Sequence, residues 1–160
     1  MKTIVVISDT HGNRRGIESL FPVMEESDMI IHLGDTSQDG GFIREKFPDK
    51  TYLLNGNCDL YKLGEDELVL EAEKVKIFAC HGHKYSVKST NGKLAARARE
   101  LGCSVALYGH THRAVEETCG DILVVNPGTM SRYSHKSYCY LIINGDKAVA
   151  KIVDADERNL

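Results

Sequence analysis

Seven side chains of metal-ligand type stand just beyond apolar runs in this sequence. Asp9 and His11 follow Ile4–Ile7, Asp35 follows Ile30–Leu33, and Asn57 follows Tyr52–Leu54. His81 follows Val75–Cys80, and His110 and His112 follow Val105–Tyr108. The donors are carboxylate, imidazole and amide oxygen, with no thiolate among them. That mixture suits Mn²⁺, Fe²⁺, Co²⁺, Ni²⁺ or Zn²⁺ rather than a cysteine-rich structural zinc site. The number of donors exceeds what one ion needs and would fill two neighbouring ions with a carboxylate as bridge. In an extended chain residues two apart face the same way, so Asp9 with His11, and His110 with His112, are expected to present donors in pairs. Glycines beside the donors allow sharp turns and close approach of backbone to a cation or phosphate.

These residues need elements to hold them. Lys2–Ile7 reads as a buried strand, and Asn13–Glu26 as a helix with apolar residues at Ile17, Leu20, Phe21 and Met24 that Pro22 bends or shortens. Asp28–Leu33 reads as a second strand, Gly41–Phe47 as a short helix, and Thr51–Leu54 as a third strand. This alternation predicts parallel pairing, whose carboxyl ends form the crevice where ligands bind in open α/β sheets. Further on, Glu67–Glu71 and Lys74–Cys80 predict a hairpin, and Gly92–Leu101 a helix stopped by Gly102. Val105–Tyr108, Ala114–Thr118, Ile122–Val125, Tyr138–Ile143 and Ala148–Val153 read as strands, the last two joined through Asn144-Gly145. The expected fold is α/β, with two mixed sheets packed face to face and helices outside, in one domain over residues 1–160.

The bulk properties bound the rest. The 160 residues are 42% hydrophobic and 27% charged, with a net charge of −3, which gives a folded chain without the basic footprint of a nucleic-acid binder. The apolar start is too short for a signal-peptide core, and no run is long enough to span a bilayer. Five scattered cysteines without a C-x-x-C pair point to a reducing, cytoplasmic setting.

Each motif alone is commonplace. Together and in order they resemble the signature of the calcineurin-like metallophosphoesterase superfamily, D-x-H … G-D … G-N-H-D/E … H … G-H-x-H. Here it reads SDTHG at 8–12, LGD at 33–35, GNCD at 56–59, CHGH at 80–83 and GHTH at 109–112. Within the superfamily the chain is similar to small single-domain phosphodiesterases of bacteria and archaea, which share an N-P-G-S/T segment like NPGT at 126–129. The resemblance implies a four-layer α/β/β/α sandwich and two divalent ions, manganese first, with nickel, cobalt, iron or zinc as alternatives. It implies that Asp9, His11, Asp35 and His112 hold one ion and Asp35, Asn57, His81 and His110 the other, with Asp35 bridging. The implied reaction is hydrolysis of a small phosphodiester by a hydroxide between the ions, with Asn57 and His81 expected to act at the phosphoryl oxygens. His83, two residues after His81, reads either as a further catalytic side chain in the same crevice or as a hydrogen-bonded structural histidine.

One departure stands out. Cys58 occupies the place where many superfamily members carry the histidine that protonates the leaving group, and a thiol is a poor substitute near neutral pH. His83 or a bound water is then the expected donor, and Asp59, without the partner it would orient, reads as the cap of a helix or turn. His32 reads as a core histidine, Asn13 as a helix N-cap, and His135 as surface loop. Competing readings are a phosphomonoesterase or pyrophosphatase on the same site, and a non-catalytic scaffold of this fold. Such scaffolds lose ligand histidines, whereas every ligand position here is filled. Exposed strand edges in the C-terminal half leave a homo-oligomer open.

Overall fold

Alternation of buried side chains sets the layers of the computed structural model, which describes residues 1–156. In β1 (Lys2–Ile7), Ile4 and Val6 point into one apolar cluster and Val5 and Ile7 into another. A strand apolar on both faces must be covered on both, and this one is. It lies at the centre of a five-stranded sheet, parallel to β2 (Met29–His32), which is parallel in turn to β3 (Thr51–Leu53). On the other side β1 runs antiparallel to a C-terminal hairpin.

The second sheet carries β4 (Glu67–Ala72), β5 (Val75–Cys80), β6 (Val105–Leu107), β7 (Ala114–Cys119) and β8 (Ile122–Pro127), in the order β4-β5-β6-β8-β7. Strands β5, β6 and β8 are mutually parallel, while β4 and β7 are antiparallel edges. The hairpin of the first sheet is β9 (Ser137–Asn144) and β10 (Lys147–Asp154).

The sheets face each other across a core that includes Ile4, Val6, Ile31, Leu33, Ile77, Ala79, Leu107 and Leu141. Outside the first sheet, Ile17, Leu20, Met24 and Ile43 pack α1 (Arg14–Glu18), its neighbour α2 (Phe21–Glu26) and α3 (Ser37–Lys46) onto Val5, Ile7 and Ile30. Outside the second, Leu94, Ala95 and Ala98 lay α4 (Gly92–Glu100) on Phe78, Ala106 and Val124. The result is the expected α/β/β/α sandwich of two mixed sheets. No helix among the described residues is long and apolar enough to cross a membrane.

The structure revises three local expectations. The helix expected over 13–26 is two short ones: Pro22 has no N–H and sits in the first turn of α2, so the chain restarts there. Helix α3 begins four residues before Gly41, because buried Ser37 and Asp39 tie its first turn to neighbouring loops. The last hairpin turns on Gly145 and Asp146 rather than Asn144-Gly145, since Asn144 still pairs with Lys147 and Gly145 supplies the positive φ of 64°.

Candidate metal centre

Parallel pairing places the carboxyl ends of β1, β2 and β3 along one edge, and those of β5 and β6 along the corresponding edge of the second sheet. Hydrogen bonds then lock the loops together. The Asp9 N–H donates to the Gly34 carbonyl at 2.9 Å, and the Gly109 N–H to the His81 carbonyl at 2.9 Å. Between the sheets, His81 Nδ1 lies 2.8 Å from the Leu33 carbonyl and the His110 N–H reaches Asp9 Oδ2 at 3.0 Å.

The donors do not sit on extended backbone, contrary to the spacing argument. Asp9, His11, Asp35, His110 and His112 all have positive φ, between 44° and 68°. For residues other than glycine this left-handed region is sparsely populated, and such strain collects at functional sites where the surroundings over-determine it. Left-handed turns, rather than strand alternation, aim both members of each pair into the crevice.

Packing is tight enough to demand two particular glycines. A Cβ on Gly56 would overlap Asp35 Oδ1, and one on Gly109 would overlap Ser8 Oγ and crowd Asp9 Oδ2. Asp9 is fully buried. Its Oδ2 accepts from Ser8 Oγ and the His110 N–H, while its Oδ1 is left facing the crevice. There the Nε2 atoms of His112, His11 and His81 approach to 3.2, 3.8 and 3.9 Å, yet none meets it in hydrogen-bond geometry. His81 Nε2, also buried, is equally without a hydrogen-bond partner, with Asp35 Oδ2 at 3.4 Å.

A buried polar atom left unpaired costs about 1–3 kcal/mol. Here a carboxylate oxygen and an imidazole nitrogen share that cost side by side. The Leu33 carbonyl takes the Nδ1–H of His81, so Nε2 is the ring nitrogen that faces the crevice, and a cation there would bind it in place of a proton. These residues fit a divalent cation. Asp9, His11 and His112 form one group whose ligand atoms all lie within 4.8 Å of one another, and Asp9, Asp35 and His81 form a second. His110 adjoins the second, its ring centroid 5.1 Å from that of His81, and its Nδ1 pairs with Asn57 Oδ1 at 3.1 Å.

The charge pattern agrees. Burial opposes ionisation of Asp35, but His81 and the Cys58 N–H hold its pKa well below the usual carboxylate range. Burial likewise opposes protonation of His81, yet the carboxylates of Asp35 and Asp9 overcome it and raise its pKa. Asp9 raises that of His112, while burial and the neighbouring His81 lower that of His110. Two carboxylates thus draw positive charge into a crowded set of imidazoles.

A model of the calcineurin-like phosphoesterase superfamily domain matches residues 1–148. The chain belongs to this superfamily. It is 33% identical over 155 residues to a probable metallophosphoesterase, YsnB, of Bacillus subtilis, covering 94% of this chain and 90% of that protein. A phosphodiesterase of Methanocaldococcus jannaschii is 28% identical over 149 residues, covering 81% of this chain and 85% of its own. A solved structure of a predicted phosphoesterase from Streptococcus pneumoniae superposes with a TM-score of 0.80 at 28% identity, covering 97% of this chain and 90% of its own.

Calcineurin-like phosphoesterases are metal-dependent, and this chain departs from their signature at Cys58. Its thiol is exposed, and burial of the sulfur's inner side together with the Asp35 charge raises its pKa. Asp59, the residue such a histidine would lean on, has other work. Its Oδ2 accepts the backbone N–H groups of Asp35 at 3.0 Å and Gly56 at 2.7 Å, and its Oδ1 accepts that of Ser37 at 2.6 Å. It staples the G-D loop to the G-N loop.

The NPGT segment, noted in the sequence without a role, supplies further support. Thr129 Oγ1 donates to the Asp9 carbonyl at 2.7 Å and Asn126 Nδ2 to the Gly109 carbonyl at 2.9 Å, so the NPGT segment props both halves of the centre. Asn126 was visible as one more polar residue closing an apolar run. Beneath the loops, His32 accepts the Gly34 N–H on Nδ1 and bonds Thr10 Oγ1 through Nε2, and Thr10 donates to Asp39 at 2.6 Å. His32 is the satisfied core histidine expected, and Asn13 caps α1 by accepting the Gly16 N–H. His83 stands exposed at the crevice mouth, its ring 5.6 Å from His81 and 6.2 Å from His110. His135 lies apart, between Asp154 and Asp156.

Proposed function

We propose that this chain is a phosphodiesterase that works with two divalent cations, manganese foremost, on a small substrate in the cytoplasm, and that it acts as one domain. Asp9, His11, Asp35 and His112 would hold one cation, and Asp35, Asn57, His81 and His110 the other. When bound, such a pair supplies a water of lowered pKa and neutralises charge on phosphoryl oxygens.

The observation that carries this reading is the pair of buried, unpaired atoms, Asp9 Oδ1 and His81 Nε2, ringed by ligand-type nitrogens. Two carboxylates facing an anionic diester would repel it, so the same geometry that suits cations makes sense of an anionic substrate only once they are bound. Asn57 then offers its amide to a non-bridging oxygen. His83 faces the leaving group; burial and His81 lower its pKa, so at neutral pH it is mostly unprotonated and supplies a proton sparingly. With Cys58 a poor acid as well, good leaving groups are favoured.

The test is hydrolysis of bis(p-nitrophenyl) phosphate by protein stripped with chelator, then reloaded with Mn²⁺ or Ni²⁺. Turnover is expected only after reloading and should fall steeply as leaving-group pKa rises across a series of aryl diesters. No turnover with ions demonstrably bound would revive the scaffold reading. A flat leaving-group dependence would reveal an efficient acid and overturn the roles given to Cys58 and His83.

A further inference from the structure

Beside the metal centre lies a cleft of about 620 Å³ whose wall includes Thr111, the residue between His110 and His112. Its apolar part is Val87, Tyr108 and Val115, and its rim carries Lys88 and Arg113. Both cations are exposed, and neither has an ion-pair or hydrogen-bond partner for its side chain among the described residues. Glu117, the carboxylate on the wall, is engaged by the Asn91 side-chain amide. The cleft therefore presents two unpaired cations, Lys88 and Arg113, against the single carboxylate of Glu117, a net positive charge beside its apolar side chains.

The walls are built rather than loose. Ser86 takes a left-handed conformation with φ of 54°, and its carbonyl accepts the N–H groups of Ser89 and Thr90 at 3.0 and 3.2 Å, fixing the turn that carries Lys88. Buried Asn126 donates to Thr111 Oγ1 at 3.0 Å, and that oxygen also accepts the Arg113 N–H at 3.3 Å. The cleft is thus held by the same asparagine that props Gly109.

The volume is that of a pocket for a ligand of nucleotide size, far more than a bare phosphodiester needs. We propose that this cleft is the specificity subsite of the reaction, where Tyr108 and Val115 receive the apolar body of one substrate arm and Lys88 and Arg113 bind a second phosphate carried on that arm. The inference rests on the phosphodiesterase reading above and names its substrate class: a nucleotide-like diester with an additional distal phosphate.

Two chromogenic esters with the same leaving group test it. One is thymidine 5′-(p-nitrophenyl phosphate), and the other is the same compound bearing a 3′-phosphate. With the Mn²⁺-loaded full chain at low salt, each exposed cation contact is worth roughly a fivefold change in KM. The 3′-phosphate should then lower KM roughly 25-fold with little change in kcat, and the advantage should shrink at high salt. Lys88→Gln and Arg113→Gln should each remove about fivefold of the difference, and the double variant should bring the two KM values together. Both side chains are exposed, and far-UV circular dichroism checks that the variants fold. Equal KM values for the two esters in the wild type, or a difference that survives in the double variant, would overturn the subsite. If neither ester turns over, the phosphodiesterase reading falls and the subsite with it, a result distinct from turnover without preference.

Discussion

Removing the Asp59 carboxylate separates a structural role from a chemical one. The side chain is half-buried and accepts three backbone N–H groups, from Asp35, Ser37 and Gly56, at 2.6 to 3.0 Å. Those amides belong to the segments around Asp35 and Asn57 and have no other hydrogen-bond acceptor among the described residues. At about 1 kcal/mol for each bond lost, Asp59→Ala should destabilise the metal-free protein by about 3 kcal/mol. For a chain of this length that lowers Tm by roughly 6–12 °C. Asp59→Asn keeps one acceptor oxygen, and if that oxygen stays on Asp35 and Gly56 only the Ser37 bond is lost, for about 1 kcal/mol. The assay is urea unfolding of chelator-treated protein followed by far-UV circular dichroism, where neither turnover nor metal affinity enters. An Asp59→Ala variant within about 0.5 kcal/mol of wild type, yet strongly impaired in turnover, would refute the staple and restore a role for Asp59 in proton transfer.

Asp9→Asn keeps an oxygen for Ser8 and the His110 N–H and relieves the unpaired Oδ1, but gives up the charge that faces His81 and His112, so it should change metal-free stability by no more than about 1 kcal/mol. Wild type should gain about 2.7 kcal/mol at a hundredfold excess of Mn²⁺ over Kd, and the variant should not; calorimetry with and without Mn²⁺ reads both. Gly109→Ala forces a methyl against Ser8 and Asp9 and should cost about 1–3 kcal/mol in the same urea assay, with turnover lost as Asp9 is displaced. His32 is buried with a pKa lowered by that burial, so the unfolded chain binds its proton more readily. Its contribution to stability is present above the unfolded value near 6.5 and is lost as pH falls, by up to about 1.4 kcal/mol per unit. Urea midpoints of the metal-free protein between pH 7 and 5 should follow that slope more steeply than those of His32→Gln.

How much of this centre was legible before the fold was seen follows from what each residue depends on. Strands β1, β5 and β6 announced themselves because they are apolar on both faces, and a polar ligand closing such a run marks the carboxyl edge of a parallel sheet without further information. The list of donors needed only residue type and position. Their aim did not follow from position, because left-handed turns at Asp9, His11, Asp35, His110 and His112 are imposed by the surrounding loops rather than by local propensity; none of these residues is glycine. Asp59 reads from sequence as a cap, but the groups that it, Thr129 and Asn126 bind were hidden for a related reason. Each reaches backbone groups distant in the chain (Asp59 also holds nearby Gly56), and a carboxylate that accepts amides looks in sequence the same as one that holds a metal or orients a proton donor. The strain in the ligand loops and the hydrogen bonds of these supports are therefore two views of one arrangement. The supports keep the loops in conformations the chain would otherwise leave, and in doing so they hold Asp9 Oδ1 and His81 Nε2 unpaired and open to a cation.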